Sequence, residues 1–270
     1  MRVAELVRLL EQRYPLSWAE DWDRVGFVLG EPDAPVTKVL LAVDCDPAVV
    51  QEAVTAGAEF LFTHHPLLLR GVSSVAPTTY KGRIVHRMIQ SGIALFTAHT
   101  NGDVASPGVS DLLAARLGLL DVRPLRPVAG SPDRGHGRVG RLPAPMSLAG
   151  FAALAAAQLP KTAAGVRASG APSRMLHTVA VSGGAGDAFL GDAVRAGVDA
   201  YLTADLRHHP AHEHLADGGP ALLDVAHWAS ERPWLDDVAA FLRAEAGVET
   251  IVSDVDTSPW TLLEATTSEG

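Results

Sequence analysis

Apolar residues near the start of the chain recur at helical spacing. In residues 3–13 they fall three or four positions apart, and Pro15 follows shortly afterwards. Side chains at this spacing lie on one face of a helix, and a proline interrupts the backbone hydrogen bonds that would continue it. The pattern predicts a helix over residues 3–13.

A second pattern begins with the continuous apolar run at residues 39–43, which is typical of a strand buried on both faces. Asp46 can cap a helix, Pro47 suits its first turn, and Gly57 can end it. Another apolar run occupies residues 60–62. Together these features predict a β-α-β unit.

The same arrangement recurs later in the chain. Residues 53–63 align without a gap on residues 193–203, and an apolar run precedes each copy, at 39–43 or at 179–181. Internal similarity of this kind indicates related structural units. We therefore predict an α/β fold of two related halves, with a metal site in the cleft between them, since clefts between halves commonly bind ligands.

The stretch at residues 123–137 is rich in proline, glycine and arginine, which suggests a connection between the halves. We assign residues 1–125 to the first α/β half, completed by the C-terminal segment 221–270, and residues 126–220 to the second half. Within the second half, an alanine-rich run predicts a helix over residues 148–159.

Histidines follow two of the predicted strands. His64 and His65 end one apolar run, and His99 and Asp103 follow another at residues 93–96. Open α/β sheets bind ligands just beyond the carboxyl ends of their strands, and neutral imidazoles are common metal ligands. A histidine pair alone is equally consistent with a surface turn.

A third strand end strengthens the metal hypothesis. His227 and Glu231 follow the apolar run at residues 221–223 and lie four positions apart. On a helix such residues share a face, so that both side chains can reach one ion. A single pair of this kind is more often a surface contact, but three such strand ends in one chain indicate a common role.

These candidates form a mixed nitrogen and oxygen donor set without a thiolate. Such a set suits zinc, manganese, iron or nickel and does not decide among them. Five ligands are too many for one catalytic ion that keeps an open position, but they suit two ions bridged by a carboxylate. We therefore predict two divalent metal ions per chain, which would activate water for hydrolysis of a small-molecule substrate. The predicted ligands are His64, His65, Asp103, His227 and Glu231.

Other polar residues leave alternatives open. His99 could be a ligand, a hydrogen-bond partner of a ligand or a proton shuttle, or a strand-end histidine satisfied by backbone carbonyls. Residues 208–214 contain four histidines; such segments are often solvated and bind adventitious metal, although we place His208 or His209 near the cleft. Cys45 is expected to be a buried, inert thiol.

The glycine-rich segment at residues 183–187 lies between a predicted strand and a predicted helix, where backbone amides can bind phosphate. It lacks the lysine of a P-loop, and a tight turn is the preferred interpretation. No Gly-x-Ser-x-Gly motif occurs, which disfavours a serine hydrolase of the α/β-hydrolase type.

Composition limits the classes of binding partner and the cellular compartment that we expect for this protein. The 270 residues are 47% hydrophobic and can bury a sizeable core, while the net charge of −9 disfavours nucleic acid as the main partner. A single cysteine excludes an intrachain disulfide, and residues 1–12 show no signal-peptide core. No apolar run approaches the roughly 18 residues needed to span a bilayer, so we predict a cytoplasmic protein without membrane partners.

Several motifs together resemble the Nif-three-like dinuclear metal-centre family, whose bacterial members are often labelled GTP cyclohydrolase 1 type 2 homologues. The resemblance covers nearly the whole chain. It includes Glu-Asp-Trp-Asp-Arg-Val-Gly at 20–26, Thr-His-His-Pro at 63–66, His-Thr-Asn-Gly-Asp at 99–103, Gly-Arg-Leu-Pro at 140–143, Val-Ser-Gly-Gly-Ala-Gly at 181–186 and His-x-x-x-Glu at 227–231.

The resemblance implies a particular ligand arrangement. His65 and Asp103 would hold one ion, His64 and His227 the other, and Glu231 would lie between both. It also implies a homohexamer built as a trimer of dimers, and a nucleotide such as GTP as substrate. The catalytic side chains would then be His99 and Glu231.

The chain departs from the family pattern in two places: Arg24 stands where asparagine is usual, and Ala204 where glycine is usual. Neither is a predicted ligand, so the departures bear on substrate contacts alone. The short stretch between the halves also leaves no room for the inserted domain that some relatives carry. A non-enzymatic metal-binding or regulatory hexamer is the alternative to a hydrolase.

Overall fold

A computed structural model describes residues 1–264. The contacts divide the chain into two compact units. The first unit comprises Met1–Gly108 and Trp234–Thr257, and the second comprises Val109–Pro233 with the described residues from Ser258 onward. Each unit contains one β-sheet.

The strands, in chain order, are β1 (Gly26–Leu29), β2 (Lys38–Ala42), β3 (Phe60–Thr63), β4 (Ala94–Thr97), β5 (Leu120–Val128), β6 (Ser131–Ser147), β7 (Val166–Ser169), β8 (Met175–Ala185), β9 (Ala200–Ala204), β10 (Ala221–Val225) and β11 (Glu249–Val252). The α-helices are α1 (Val3–Arg13), α2 (Pro47–Ala56), α3 (Tyr80–Gln90), α4 (Thr100–Asp103), α5 (Val109–Arg116), α6 (Leu148–Gln158), α7 (Leu190–Ala196), α8 (His208–Ala216) and α9 (His227–Ala246).

The sheet of the first unit has the order β1-β4-β3-β2-β11. Its strands β11, β2, β3 and β4 are parallel, and β1 pairs antiparallel with β4 at the edge. Because β2, β3 and β4 are parallel neighbours, their carboxyl ends meet at one edge of the sheet. Residues that follow these three strands are therefore brought together.

The helices α1 and α2 begin and end as the sequence predicts. At the start of α2 the Asp46 side chain accepts a hydrogen bond from Val49 N at 2.8 Å. Gly57 closes the helix with a φ of 65°, in the left-handed region that glycine adopts without strain. The predicted β-α-β unit, β2-α2-β3, is confirmed.

The sheet of the second unit has the order β5-β6-β8-β9-β10-β7. Strands β8, β9 and β10 are parallel, as expected for the second copy of the repeat. Helix α7 ends at Gly197, whose φ of 65° equals that of Gly57. The predicted α/β class and its internal repeat are confirmed.

The prediction that residues 123–137 form an irregular connection is wrong. These residues lie in β5 and β6, which pair antiparallel. Pro124 and Pro127 lie in β5, which is an edge strand, and proline within a sheet is found mainly on edge strands. The predicted helix at 148–159 is confirmed as α6, with Ser147 Oγ accepting from Gly150 N at 3.1 Å.

The observed boundaries between the units fall at Gly108/Val109 and Pro233/Trp234, whereas the sequence places them after residues 125 and 220. Two elements account for the difference. Helix α5 contributes Leu113 and Ala114 to the core of the second sheet, and β10 pairs with β9 and β7 in that sheet. None of the helices within residues 1–264 is long and apolar enough to cross a bilayer.

Candidate metal centre

In the first unit, His64 and His65 leave the sheet directly after β3. The amide N–H of His65 donates to Val43 O at 2.8 Å, which ties the segment to the end of the neighbouring β2. Between β3 and β4, the hydroxyls of Thr63 and Thr97 lie 3.1 Å apart within hydrogen-bonding distance. These contacts fix the backbone that carries the two histidines.

Each imidazole of this cluster has its Nδ1 held by an oxygen acceptor. His64 Nδ1 lies 2.9 Å from Ala98 O, and His65 Nδ1 lies 2.7 Å from Asp44 Oδ1. His99 Nδ1 lies 2.9 Å from Asp23 Oδ1. Because an Nδ1–H must donate in these bonds, Nε2 is the nitrogen that would bind a metal, and this is the usual arrangement of metal-ligating histidines.

The three imidazoles converge. Ligand atoms of His64, His65 and His99 lie within 4.8 Å of one another, which is close enough to hold one ion. Asp103, at the end of α4, adds a carboxylate: its Oδ1 lies 3.7 Å from His64 Nε2. The structure thus brings together all the candidates that the sequence places at the ends of β3 and β4.

Asp23 is a residue whose role the sequence does not reveal. Besides holding His99, its Oδ2 accepts hydrogen bonds from Thr100 N at 3.0 Å and from the Thr100 hydroxyl. Burial alone would raise the pKa of Asp23, but the hydrogen bonds from His99 and Thr100 outweigh it and hold the pKa far below its usual range. Asp23 is therefore ionised at neutral pH, so a negative charge lies next to the His99 imidazole.

Asp44 has the equivalent role for His65. It follows β2, the strand next to β3, and its other oxygen accepts from the Thr257 hydroxyl. Asp44 lies 21 positions from His65 in the chain. The sequence feature that points to Asp44 is its position, because Asp44, like His64 and His65, directly follows an apolar run.

In the second unit, His227 and Glu231 form the predicted pair at the start of α9. His227 Nε2 lies 3.0 Å from Glu231 Oε1, and its Nδ1 lies 2.7 Å from Asp205 Oδ2. Glu231 is 3% exposed. Asp205 follows β9 with a φ of 56°, a conformation that costs a non-glycine residue free energy and is often found at functional sites.

The charge around His227 favours a cation. Burial alone would lower the pKa of its imidazole, but the carboxylates of Glu231 and Asp205 outweigh it and raise the pKa to about 11. A positive charge near Nε2 is therefore strongly stabilised, and either a proton or a metal ion can supply it.

Gly184 makes room for this pair. A Cβ on residue 184 would lie 2.4 Å from Glu231 Oε1 and 3.0 Å from His227 Nε2, so no side chain fits. Its φ of 66° lies in the left-handed region, and its N–H donates to Ser230 Oγ at 2.9 Å. The glycine-rich segment thus leaves space for the side chains of His227 and Glu231, a role that the sequence pattern does not reveal.

The backbone amides of that segment are already engaged in the chain itself. Gly183 N donates to Ser110 Oγ at 3.3 Å and Gly186 N to Ala204 O at 3.4 Å. The interpretation of the segment as a tight turn is wrong, because residues 183–185 are the last residues of β8 and Gly186 leads into a short 3-10 helix at Asp187–Phe189.

The remaining candidates lie outside these clusters. His208 and His209 are exposed on α8, where the His208 ring stacks on that of His212. Cys45 is buried, and burial, reinforced by Asp46 and Asp44, raises the pKa of its thiol to about 12. The predicted burial of this thiol is confirmed.

The fold and the clusters define a class: an α/β protein with two sheets whose strand ends carry anchored histidines and carboxylates suited to divalent metal ions. The sequence profile of the Duf34/NIF3 (NGG1p interacting factor 3) family matches residues 1–259. The chain belongs to this family.

Comparison with individual proteins agrees. The chain is 50% identical over 267 residues to a Streptomyces coelicolor protein named GTP cyclohydrolase 1 type 2 homolog, covering 96% of this chain and 94% of that one. A Staphylococcus aureus hypothetical protein of known structure superposes with a TM-score of 0.88 and 28% identity, covering 97% of this chain and 99% of that one. A Bacillus cereus protein related to NIF3 shares the fold, with a TM-score of 0.90, 23% identity and coverage of 97% and 99%.

Proposed function

We propose that this protein binds divalent metal ions and acts as a metal-dependent hydrolase. One observation carries the proposal: His64, His65 and His99 have their Nδ1 atoms held by oxygen acceptors, and their ligand atoms lie within 4.8 Å of one another. Histidines that serve only the fold have no need of this convergence. The donor set fits a borderline metal such as zinc, manganese, iron or nickel.

We further propose two ions per chain. The ligands would be those that the family resemblance implies, namely His64, His65, Asp103, His227 and Glu231. Once bound, two ions supply a water of lowered pKa and a clamp for the attacked group. In this proposal Glu231 would be a ligand shared by both ions, and His99, held by Asp23, would orient the substrate or exchange a proton with it.

The substrate would be a small molecule, and a nucleotide is the first choice. The support is the name of the relatives, GTP cyclohydrolase 1 type 2 homolog, at 50% identity in Streptomyces coelicolor and 37% in Mycobacterium tuberculosis. The alternative, a metal-binding assembly without turnover, shares the same ligands. A homohexamer is proposed on the family resemblance alone. The proposed cytoplasmic location rests on composition, in particular on the single cysteine.

The test is metal content by mass spectrometry of untagged protein, with hydrolysis of a nucleotide panel that includes GTP measured on the same samples. Wild type is compared with His65→Ala, Glu231→Ala and the control His86→Ala, which removes an exposed histidine of α3. We expect about two ions per chain in wild type and control, in line with a dinuclear centre. Both cluster variants should lose metal and turnover.

The outcomes separate the hypotheses. Two ions without turnover on any nucleotide would favour the non-enzymatic assembly. Wild-type protein that takes up no divalent metal after dialysis against zinc, manganese, iron(II) or nickel would overturn both. Metal content that is unchanged in His65→Ala and Glu231→Ala would overturn the ligand assignment.

A further inference from the structure

Trp22 is an exposed aromatic residue beside the histidine cluster of the first unit. Its side chain is 56% exposed, whereas Trp228 and Trp234 are buried. The Trp22 ring centroid lies 5.9 Å from that of His99, with the two planes at 80°. The His99 ring in turn lies 5.1 Å from the ring of His64. Any ligand that reaches these imidazoles has the indole as a neighbour.

The backbone around Trp22 is held in place on both sides. Glu20 N donates to Thr100 Oγ1 at 3.0 Å, and Asp23 accepts from both the N–H and the hydroxyl of Thr100. The loop is therefore tied to the start of α4 at two points, although the indole itself faces solvent. Because this backbone is fixed, binding through the indole would cost little backbone entropy, and an indole has only two side-chain torsions left to order.

The exposed surface of Trp22 is apolar and lies next to the imidazoles. A tryptophan gains from burial in proportion to its large apolar surface, and Trp22 leaves more than half of its surface available for contact with a ligand. Asp23, the next residue, is buried and holds His99, so the hydrogen bonds that fix the loop come from the backbone and from Asp23. The indole contacts the edge of the cluster through His99 and leaves the rest of its surface open to a ligand.

We propose that Trp22 is a specificity-determining residue that stacks on a planar heteroaromatic ring of the substrate. Indole is the strongest stacking platform among the side chains, and base–aromatic stacking contributes about 1–3 kcal/mol. The inference rests on the proposed function, since it assigns the substrate class of the same site. Stacking on Trp22 would favour ligands that carry a nucleobase-like ring over ligands that carry only a phosphorylated sugar.

The experiment compares a ring-bearing probe with a ring-free one by isothermal titration calorimetry on the full-length protein. The probes are guanosine monophosphate and ribose 5-phosphate. The variants are Trp22→Ala, Trp22→Leu, which keeps apolar bulk without an aromatic face, and Trp22→Tyr, which keeps a ring. The control Trp260→Ala removes another exposed indole, 70% exposed, in the second unit.

We expect Trp22→Ala and Trp22→Leu to raise the Kd for guanosine monophosphate about tenfold or more, as loss of about 1.4 kcal/mol requires. Trp22→Tyr should stay within about threefold of wild type, because a smaller ring retains part of the stacking. Neither Trp260→Ala nor the affinity for ribose 5-phosphate should change.

Three results would overturn the inference. The first is a wild type that binds ribose 5-phosphate as tightly as guanosine monophosphate, and the second is a set of variants that all bind guanosine monophosphate with the same affinity. The third result is a molecular mass of Trp22→Ala in light scattering that differs from wild type, which would make Trp22 a subunit contact. Titration of both metal-loaded and chelator-stripped protein separates this proposal from the proposed function. Ring preference in a wild-type protein that takes up no divalent metal, or that hydrolyses no nucleotide when loaded with metal, would support Trp22 stacking while rejecting the hydrolase.

Discussion

At the scale of single residues, the candidate site depends on carboxylates that would not bind metal themselves. Asp44, Asp23 and Asp205 each accept from the Nδ1 of one histidine, at 2.7 Å, 2.9 Å and 2.7 Å. Such partners fix the tautomer and orientation of the ring and make the opposite nitrogen a better donor. They extend the site beyond the residues that would touch an ion.

We predict that Asp44→Asn weakens metal binding about 10-fold to 100-fold, the usual effect of removing such a partner. The asparagine oxygen can still accept the His65 proton, but the negative charge that strengthens the ligand is lost. Competition titration with a chromophoric chelator measures the affinity. The control is Asp46→Asn, which changes a helix cap to an equally good one. Equal affinities in the two variants would contradict the role given to Asp44.

We predict that Gly184→Ala disrupts the His227–Glu231 pair, because the new Cβ would lie 2.4 Å from Glu231 Oε1. The control is Gly197→Ala, whose φ of 65° is equally strained but which has nothing within 4 Å of the added Cβ. Both variants should lose about 1 kcal/mol of unfolding free energy or more from strain. Only Gly184→Ala should lose bound metal, measured by mass spectrometry; equal metal in both would refute the steric argument.

At the scale of elements, the two copies of the internal repeat share a hydrogen bond in which an acidic side chain accepts from the backbone of a neighbouring strand. Glu59 Oε2 accepts from Lys38 N at 2.9 Å at the start of β2, and Asp199 Oδ2 accepts from Thr178 N at 2.9 Å within β8. Glu59 and Asp199 occupy equivalent positions of the repeat. Each acidic residue directly precedes one strand, β3 or β9, and its side chain is hydrogen-bonded to the neighbouring strand, β2 or β8.

These bonds predict a pH dependence of stability. Partial burial alone would raise the pKa of Asp199, but hydrogen bonds from the amides of Thr178 and His177 outweigh it and lower the pKa. A lowered folded-state pKa stabilises the protein above the unfolded pKa of about 3.9, and this contribution disappears as the pH falls through the folded value.

Asp199→Asn should therefore reduce the unfolding free energy by about 1–2 kcal/mol at pH 7, the lower part of the range for hydrogen bonds to a charged group, because Asp199 is partly exposed and asparagine still accepts. The difference from wild type should shrink as the pH falls below about 4. Urea unfolding followed by circular dichroism measures it, with Asp217→Asn at the exposed end of α8 as the control. A difference that stays constant down to pH 3 would contradict the assignment.

The sequence predicts those elements whose signals are local. Helices α1, α2 and α6 carry their own caps and periodicity, and the predicted ranges match. The hairpin of β5 and β6 was missed because its proline and glycine content imitates a loop, and only pairing with the rest of the sheet stabilises it as strands.

The candidate site shows the same division between local and distant signals. His64, His65, His99, His227 and Glu231 were found because strand ends and helical spacing are visible in the sequence. Asp23 was not, because it contacts His99 from 76 positions away. Gly184 was missed for another reason: its contribution is space, and a missing side chain leaves no chemical signature.

At the scale of the whole molecule, the family resemblance predicts a hexamer built as a trimer of dimers. Light scattering coupled to size exclusion should give a mass six times that of the chain, at concentrations where smaller species would be resolved. A monomeric mass at every concentration would rule out the assembly. Since oligomers of identical chains are closed by symmetry, a trimer of dimers should also dissociate through dimers or trimers on dilution.

The double attachment of the loop before β1 to Thr100 has a consequence for protein engineering. The tripeptide Thr-His-His is short enough to copy into any parallel sheet, but its imidazoles would turn freely there. The smallest transferable version of the first cluster needs the ends of β2, β3 and β4 together with residues 20–23, which supply Asp23. A design that transplants fewer segments should contain the metal-ligating residues but lack the hydrogen bonds that orient their imidazoles.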